Sequence, residues 1–173
     1  MAGVAKMRLM IFLHGTSIMH RGAIGLTREE RVRQIRQGND DSIQDFASYV
    51  PIGKVVEKLK NWKAQGADIL YLSSNRDPTD VEKDRQVLAE YDFPLGPVLF
   101  RVRNEAYANV VEKASPDILI EDDCESIGGE VEMAYPNMSA AGRRRVKSIV
   151  VKEFGGVDHL PDDLRALIDW RAT

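Results

Sequence analysis

The sequence MRLMIFLHGT, Met7–Thr16, decides the fold class. Apart from Arg8, residues 7–13 form a continuous apolar run, which is typical of a strand buried on both faces of a parallel sheet. The run stops at His14-Gly15, where the glycine permits a tight turn. The stretch therefore predicts a buried strand whose carboxyl end presents polar groups.

The remaining sequence alternates between short apolar runs and amphipathic helical patterns. Four more strands are predicted, over Asp68–Leu72, Val98–Val102, Asp117–Ile120 and Ser148–Phe154. Helix-start signals stand between them, namely the capping box from Thr27 to Glu30, the pair Asp77-Pro78, and Asn104. Strands that alternate with helices predict an α/β fold, in which a parallel sheet of about five strands is the middle layer of a Rossmannoid three-layer sandwich.

Length and composition narrow the class of protein. The 173 residues suffice for one buried core, so we expect a single domain over residues 1–173. A formal net charge of -3 gives no indication of a nucleic-acid or membrane partner. Cys124 is the only cysteine, which excludes an internal disulfide and is consistent with a reducing compartment. The apolar run near the N-terminus is too short to span a membrane, so we predict a cytoplasmic protein and leave its oligomeric state open.

Polar residues gather at the carboxyl ends of the predicted strands, where open parallel sheets bind ligands. In chain order they are His14, Gly15 and Thr16, then Ser73 and Ser74, then Arg101 and Arg103, and finally Glu121, Asp122, Asp123 and Glu125. Carboxylates hold hard divalent cations, while hydroxyls and guanidinium groups hold phosphate oxygens. We therefore expect a crevice that binds a divalent metal and a small phosphorylated molecule.

Three segments, Leu13–Thr16, Leu72–Asn75 and Ile118–Asp123, resemble in order and position the motifs of the haloacid-dehalogenase-like (HAD-like) phosphohydrolases. The resemblance covers residues 7–155 and implies a HAD-like fold with a minimal helical cap inserted at residues 17–50. It also implies site roles for several residues. Ser73 would orient a phosphoryl group, Gly15, Thr16 and Ser74 would contact the ligand, and either Arg101 or Arg103 would supply the positive charge. Mg²⁺ would be held by Asp122 and Asp123, with Glu125 as a further ligand.

The sequence departs from that family at its reactive residues. Matching Gly15-Thr16 to the family motif puts Phe12 at the position of the nucleophilic aspartate and His14 at that of the acid/base aspartate. A phenyl ring can neither attack phosphorus nor ligate magnesium. His14 is a candidate metal ligand beside Asp122, a candidate general acid/base, or a structural histidine at a strand end.

Three functions are compatible with this pattern. The first is a degenerate phosphohydrolase-type site that binds a divalent metal or a phosphorylated small molecule without aspartyl-phosphate catalysis. The second is a hydrolase with altered chemistry, which would use His14 and Ser73 together with a metal at Asp122 and Asp123. The third is a non-catalytic partner-binding module, presented by the segment from Gly128 to Arg145. Fold class alone does not choose among them.

Overall fold

The predicted parallel sheet is confirmed in a computed structural model that describes residues 6–172. Its strands are β1 (Met7–Phe12), β4 (Ala67–Leu72), β5 (Val98–Leu99), β6 (Ile118–Asp122) and β7 (Lys147–Val151), and a separate small pair is formed by β2 (Ile18–Met19) and β3 (Val50–Pro51). The order in the main sheet is β5-β4-β1-β6-β7, with every neighbouring pair parallel. The first strand in sequence is therefore the central one.

Helices follow the strands as the alternation predicts. They are α1 (Arg28–Gln37), α2 (Val55–Ala64), α3 (Pro78–Glu90), α4 (Tyr107–Ala114), α5 (Ala140–Arg145) and α6 (Ala166–Asp169). Two predicted starts are confirmed. Thr27 and Glu30 form the reciprocal capping box of α1, and Asp77 caps α3 ahead of Pro78. None of the helices within residues 6–172 is long and apolar enough to cross a bilayer.

Side chains of β1 alternate between the two faces of the sheet and so create two cores. Leu9 and Ile11 pack in the cluster that contains the apolar sides of α2 and α3. Met10 and Phe12 pack in the opposite cluster with α4. The result is the predicted three-layer α/β sandwich, and the carboxyl end of its central strand opens at one edge.

Some predicted boundaries are wrong. The third strand of the main sheet ends at Leu99 rather than Val102, because the chain turns away into a loop in which Val102 is 50% exposed. Helix α4 begins at Tyr107, and Asn104 is not its cap; the Ala106 N–H donates to Asn109 Oδ1 instead, at 3.0 Å. The last strand ends at Val151, which leaves Glu153 in the loop beyond it.

The segment 17–50 lies over this edge of the sheet. Its base is the antiparallel β2–β3 pair, and α1 is its longest element. Two arginines of α1 attach it to the loop after β7, since Arg28 Nε donates to the Glu153 carbonyl and Arg31 Nη1 to the Phe154 carbonyl, both at 3.0 Å. The segment thus contacts the sheet at the place where the predicted site residues lie.

Candidate functional site

A small pocket lies at the carboxyl ends of β1, β4 and β6. It is lined by apolar groups on one side and by acidic groups on the other; the lining residues are Phe12, His14, Ser74, Tyr107, Glu121, Asp122, Cys124, Ile127, Glu132 and Glu153. This is the place where parallel sheets bind ligands. The structure therefore brings the ends of these strands together as the motifs predict.

Three carboxylates meet at this pocket, two of which, Asp122 and Glu153, line it. One oxygen each from Asp122, Asp123 and Glu153 lies within 4.8 Å of the other two. Burial raises the pKa of Asp122 and of Glu153 above their ordinary values, because neither side chain is hydrated well enough to stabilise its charge. Oxygen ligands and concentrated negative charge are what hard divalent cations such as Mg²⁺ and Mn²⁺ require.

Neighbouring donors hold these carboxylates in position. Thr16 Oγ1 donates to Asp122 Oδ2 at 2.7 Å, and the Cys124 N–H donates to Asp122 Oδ1 at 2.9 Å. The backbone and hydroxyl of Ser126 donate to the two oxygens of Glu153, at 2.6 and 2.7 Å. Thr16 is fully buried, so its hydroxyl orients a carboxylate rather than facing the pocket.

A fourth buried carboxylate adds to the charge of the pocket. Glu121 accepts hydrogen bonds from the Ala134 and Tyr135 N–H groups, at 2.7 and 2.9 Å. Burial nevertheless raises the pKa of Glu121 to about 7. Cys124 lies among these acids, and burial together with the charge of Asp122 raises the pKa of its thiol, which makes it a poor nucleophile.

Glu125, the third predicted metal ligand, is not brought into this cluster. Its carboxylate pairs with Arg28 and lies 3.8 Å from Arg36, both on α1. Glu153 occupies the third position instead, and our reading of the sequence missed it. The predicted strand extended to Phe154 and so included Glu153; with the strand ending at Val151, the rule that selected the residues after the other four strands would also have selected Glu153.

His14 lies beside the cluster with both ring nitrogens engaged. Nδ1 is 2.6 Å from Ser74 Oγ, and Nε2 is 3.0 Å from Asp84 Oδ1. Phe46 and Tyr49, from the segment 17–50, contact the imidazole edge-to-face at centroid distances of 5.6 and 5.2 Å. These contacts leave no ring nitrogen of His14 free to ligate a metal, and they place the ring between a hydroxyl and a carboxylate.

Ser73 and Ser74 have different surroundings. Ser73 is fully buried, and its hydroxyl donates to Asp84 behind the pocket. Ser74 lines the pocket itself. Asp84 was missed in the sequence, although it interrupts the apolar stripe of α3 formed by Val81, Val87 and Leu88. A carboxylate on the buried face of a helix is rare without partners, and that signal could have identified it.

The two candidate arginines are also separated. Arg101 Nη2 donates to the Ser74 carbonyl at 3.4 Å, and its guanidinium lies 3.7 Å from the Tyr107 ring centroid. Arg103 is exposed, and its carbonyl accepts a hydrogen bond from Arg76 at 2.7 Å. Arg101 is therefore the arginine that the fold brings next to the pocket.

Gly15 allows the backbone of the first turn to approach the acids. Its φ is +85°, and a Cβ placed there would lie 3.1 Å from Asp122 Oδ2 and 3.3 Å from Glu153 Cγ. Phe12, the residue that the motif comparison aligns with the nucleophilic aspartate, lies at the pocket. It is 7% exposed and packs edge-on against Tyr107 at a centroid distance of 4.9 Å.

Known proteins match this chain in structure and not in sequence. No protein-family model matches, and no curated protein is similar in sequence. The class C acid phosphatase from Bacillus anthracis superposes with a TM-score of 0.57 and 14% identity, covering 96% of this chain and 79% of that one. Its tungstate-bound structure gives a TM-score of 0.56 and 15% identity, with coverages of 89% and 70%.

A further neighbour is a chain in a structure of a Pnkp1/Rnl/Hen1 complex, with a TM-score of 0.54 and 15% identity. The match covers 87% of this chain but 47% of that one, so the chain spans about half the length of that neighbour. At such identities the likeness concerns the fold alone. Together with the sheet order and the position of the acidic residues, it establishes that this chain has a HAD-like fold, at low sequence identity to the phosphatases that share it.

Proposed function

We propose that the protein binds a divalent cation, Mg²⁺ or Mn²⁺, and a small phosphorylated molecule at this pocket, without forming an aspartyl phosphate. The observation that carries the proposal is the meeting of Asp122, Asp123 and Glu153 beside Phe12. The carboxylates supply a cation site, whereas the phenyl ring supplies no nucleophile. A structural neighbour, the class C acid phosphatase, has been solved with tungstate bound, and this supports oxyanion binding as a function that the fold can carry.

The cation is needed for the second half of this proposal. Glu121, Asp122, Glu132 and Glu153 line the pocket, and they repel an anion unless positive charge is added. Asp122, Asp123 and Glu153 would hold the cation, whose positive charge would offset theirs and allow a phosphate to bind, with Arg101 as a further positive group next to the pocket. We further propose that the segment 17–50 serves as the cap of the site, and that the protein acts in the cytoplasm on small molecules rather than on nucleic acids.

The partner-binding alternative receives less support. The segment from Gly128 to Arg145 would present Met133, Tyr135 and Met138, followed by the basic run Arg143–Arg145, as its surface. Met133 and Met138 are buried, at 6% and 3% exposure, and Met138 belongs to the core cluster on the α4 side of the sheet. The apolar side chains available to a partner in this segment are therefore fewer than the sequence indicates.

A thermal-shift titration tests the cation site. Chelator-treated protein should melt at a higher temperature as Mg²⁺ or Mn²⁺ is added, because a ligand of the folded state stabilises it by about 2.7 kcal/mol at 100 times its dissociation constant. Asp122→Asn, which keeps an oxygen for Thr16, should abolish the shift. Glu125→Gln should leave it intact, since Glu125 lies outside the cluster. A wild-type protein that no divalent cation stabilises would contradict the proposal.

Calorimetry tests the oxyanion separately. Inorganic phosphate should bind to the cation-saturated protein and not to the chelator-treated one. Binding that is equal in the two conditions would mean that the acids do not form the phosphate site, and absence of binding in both would restrict the function to the cation.

A further inference from the structure

Ser74, His14 and Asp84 form a continuous hydrogen-bonded line. Ser74 Oγ is 2.6 Å from His14 Nδ1, and His14 Nε2 is 3.0 Å from Asp84 Oδ1. Ser74 faces the pocket, His14 is partly buried, and Asp84 is fully buried. A hydroxyl, an imidazole and a carboxylate in this order are the components of a serine nucleophile, its base and the group that orients the base.

The local hydrogen bonds determine which nitrogen of His14 carries the proton. The backbone N–H of Ser74 donates to Nδ1 at 3.3 Å, so Nδ1 is an acceptor there. Nε2 then carries the hydrogen and donates it to the carboxylate of Asp84. In this tautomer Nδ1 is available to take the hydroxyl proton of Ser74. The two ring nitrogens have exchanged roles compared with the chymotrypsin-type serine proteases, but the chemistry is the same.

The surroundings of Asp84 are those of an orienting carboxylate. Besides His14, the Ser73 hydroxyl donates to its Oδ2, and Asn75 Nδ2 donates to both oxygens at 3.3 and 3.2 Å. Three partners thus satisfy a carboxylate that has no solvent access, and they hold it facing the imidazole. This arrangement explains why an aspartate lies on the buried face of α3.

We propose that Ser74 is an activated nucleophile, with His14 as its base and Asp84 as the positioning residue, and that it hydrolyses small uncharged carboxylic esters. Ser74 Oγ would bond to the acyl carbon while its proton moves to His14 Nδ1. The ester C–O bond then breaks, and the leaving alcohol takes that proton. Water, deprotonated by the same nitrogen, cleaves the acyl-serine to release the acid and restore the hydroxyl.

The pocket indicates the substrate class. Its lining combines apolar groups, Phe12, Tyr107 and Ile127, with acids, and it is small. In the absence of a cation it therefore disfavours anions and accommodates a compact neutral ester. Arg101 Nη2 donates to the Ser74 carbonyl at 3.4 Å, so a positive charge lies near the residue at which the oxyanion would develop. This activity requires no metal, so it is independent of the proposed cation site.

Covalent labelling in the presence of a chelator tests the proposal. A small fluorophosphonate should react with the folded wild-type protein, forming an O–P bond at Ser74 and releasing fluoride, and peptide mass spectrometry should locate the adduct. Ser74→Ala should not be labelled, whereas Ser115→Ala, at an exposed serine, should be labelled as the wild type is. The wild type should also hydrolyse p-nitrophenyl acetate faster than Ser74→Ala does. Absence of an adduct on the folded wild type, or an adduct on another residue, would overturn the proposal.

The test of Asp84 must distinguish a role in positioning His14 from a contribution to stability alone. Asp84→Asn should reduce the labelling rate by about 100-fold or more, the usual contribution of a competent general base. The ¹⁵N shifts of the His14 ring should report a proton on Nε2 in the wild type and a changed tautomer population in Asp84→Asn. A variant that melts at a lower temperature but keeps the wild-type tautomer and labelling rate would show that Asp84 is purely structural, and would refute its positioning role.

Discussion

Gly15 is the residue on which the geometry of the acidic cluster depends most directly. Its positive φ and the absence of a side chain let the turn after β1 come within van der Waals distance of Asp122 and Glu153. No other residue type provides both properties. The close approach of this turn to the two acids therefore explains why a glycine stands at position 15.

Gly15→Ala should destabilise the protein by about 2–3 kcal/mol, because it adds a close contact with two carboxylates to the cost of a positive φ. Gly25→Ala is the matched control, since Gly25 has a φ of +79° and open space around it. That variant should lose about 1 kcal/mol, from the backbone alone. Urea denaturation of both measures the difference, and equal losses would show that the approach to the acids has no energetic consequence.

At the same scale, sequence reasoning reached some site residues and missed others. A local pattern suffices for residues at the ends of strands. Asp122 is the last residue of β6, and Asp123 and Ser74 lie one and two residues beyond β6 and β4. Asp84 lies in the middle of a helix, and it reaches His14 only because α3 packs on the sheet. That contact depends on tertiary packing, which no short motif encodes.

Among the elements, the segment 17–50 is held together by a polar network around His20. The Ser42 hydroxyl donates to Asp40 at 2.6 Å and lies 2.9 Å from His20 Nδ1, so His20 donates from that nitrogen. Nε2 is buried and has no partner among the described residues. Burial lowers the pKa of His20, and Asp40 opposes this only in part.

This network makes the stability of the protein depend on pH. A histidine with a depressed pKa contributes stability that is fully present above its unfolded value of about 6.5 and is lost as the pH falls through its folded pKa. Between the unfolded and the folded pKa, the free energy of unfolding should decrease by up to about 1.4 kcal/mol for each unit by which the pH is lowered. In His20→Asn, which can still donate to Ser42 and does not titrate, urea denaturation at pH 7.5 and at pH 5 should show a smaller difference. An identical difference in the two proteins would exclude His20 as the cause.

Element boundaries show where local patterns stop being sufficient. The starts of α1 and α3 were predicted correctly because caps are local hydrogen bonds that the sequence displays directly. The strand at Val98 was predicted three residues too long because Phe100 and Val102 continue its apolar pattern. After Leu99 the chain leaves the sheet and turns at Arg103, whose φ is +54°. Residues 100–106 contain no glycine or proline that would predict this turn.

For the whole molecule, the position of β1 between β4 and β6 concentrates stability at the centre of the sheet. Leu9 is fully buried and pairs with Ile69 on one side and Ile118 on the other. Leu9→Ala should therefore cost about 2–5 kcal/mol, as large-to-small changes in tightly packed cores do. Leu95→Ala removes the same atoms from a side chain that is 88% exposed and should cost less than about 0.5 kcal/mol. Calorimetric melting of the pair would distinguish them, and similar losses would mean that β1 is not the core of the fold.

The central position of β1 also has a consequence for biosynthesis. During translation this strand leaves the ribosome before its two neighbours in the sheet, which begin at Ala67 and Ile118. One edge of β1 therefore stays unpaired until β4 has been made and the other until β6 has been made, and parallel pairing over such separations forms slowly. An apolar strand with unpaired edges is a template for aggregation, so the nascent chain should depend on chaperones that shield β1 until its neighbours are available.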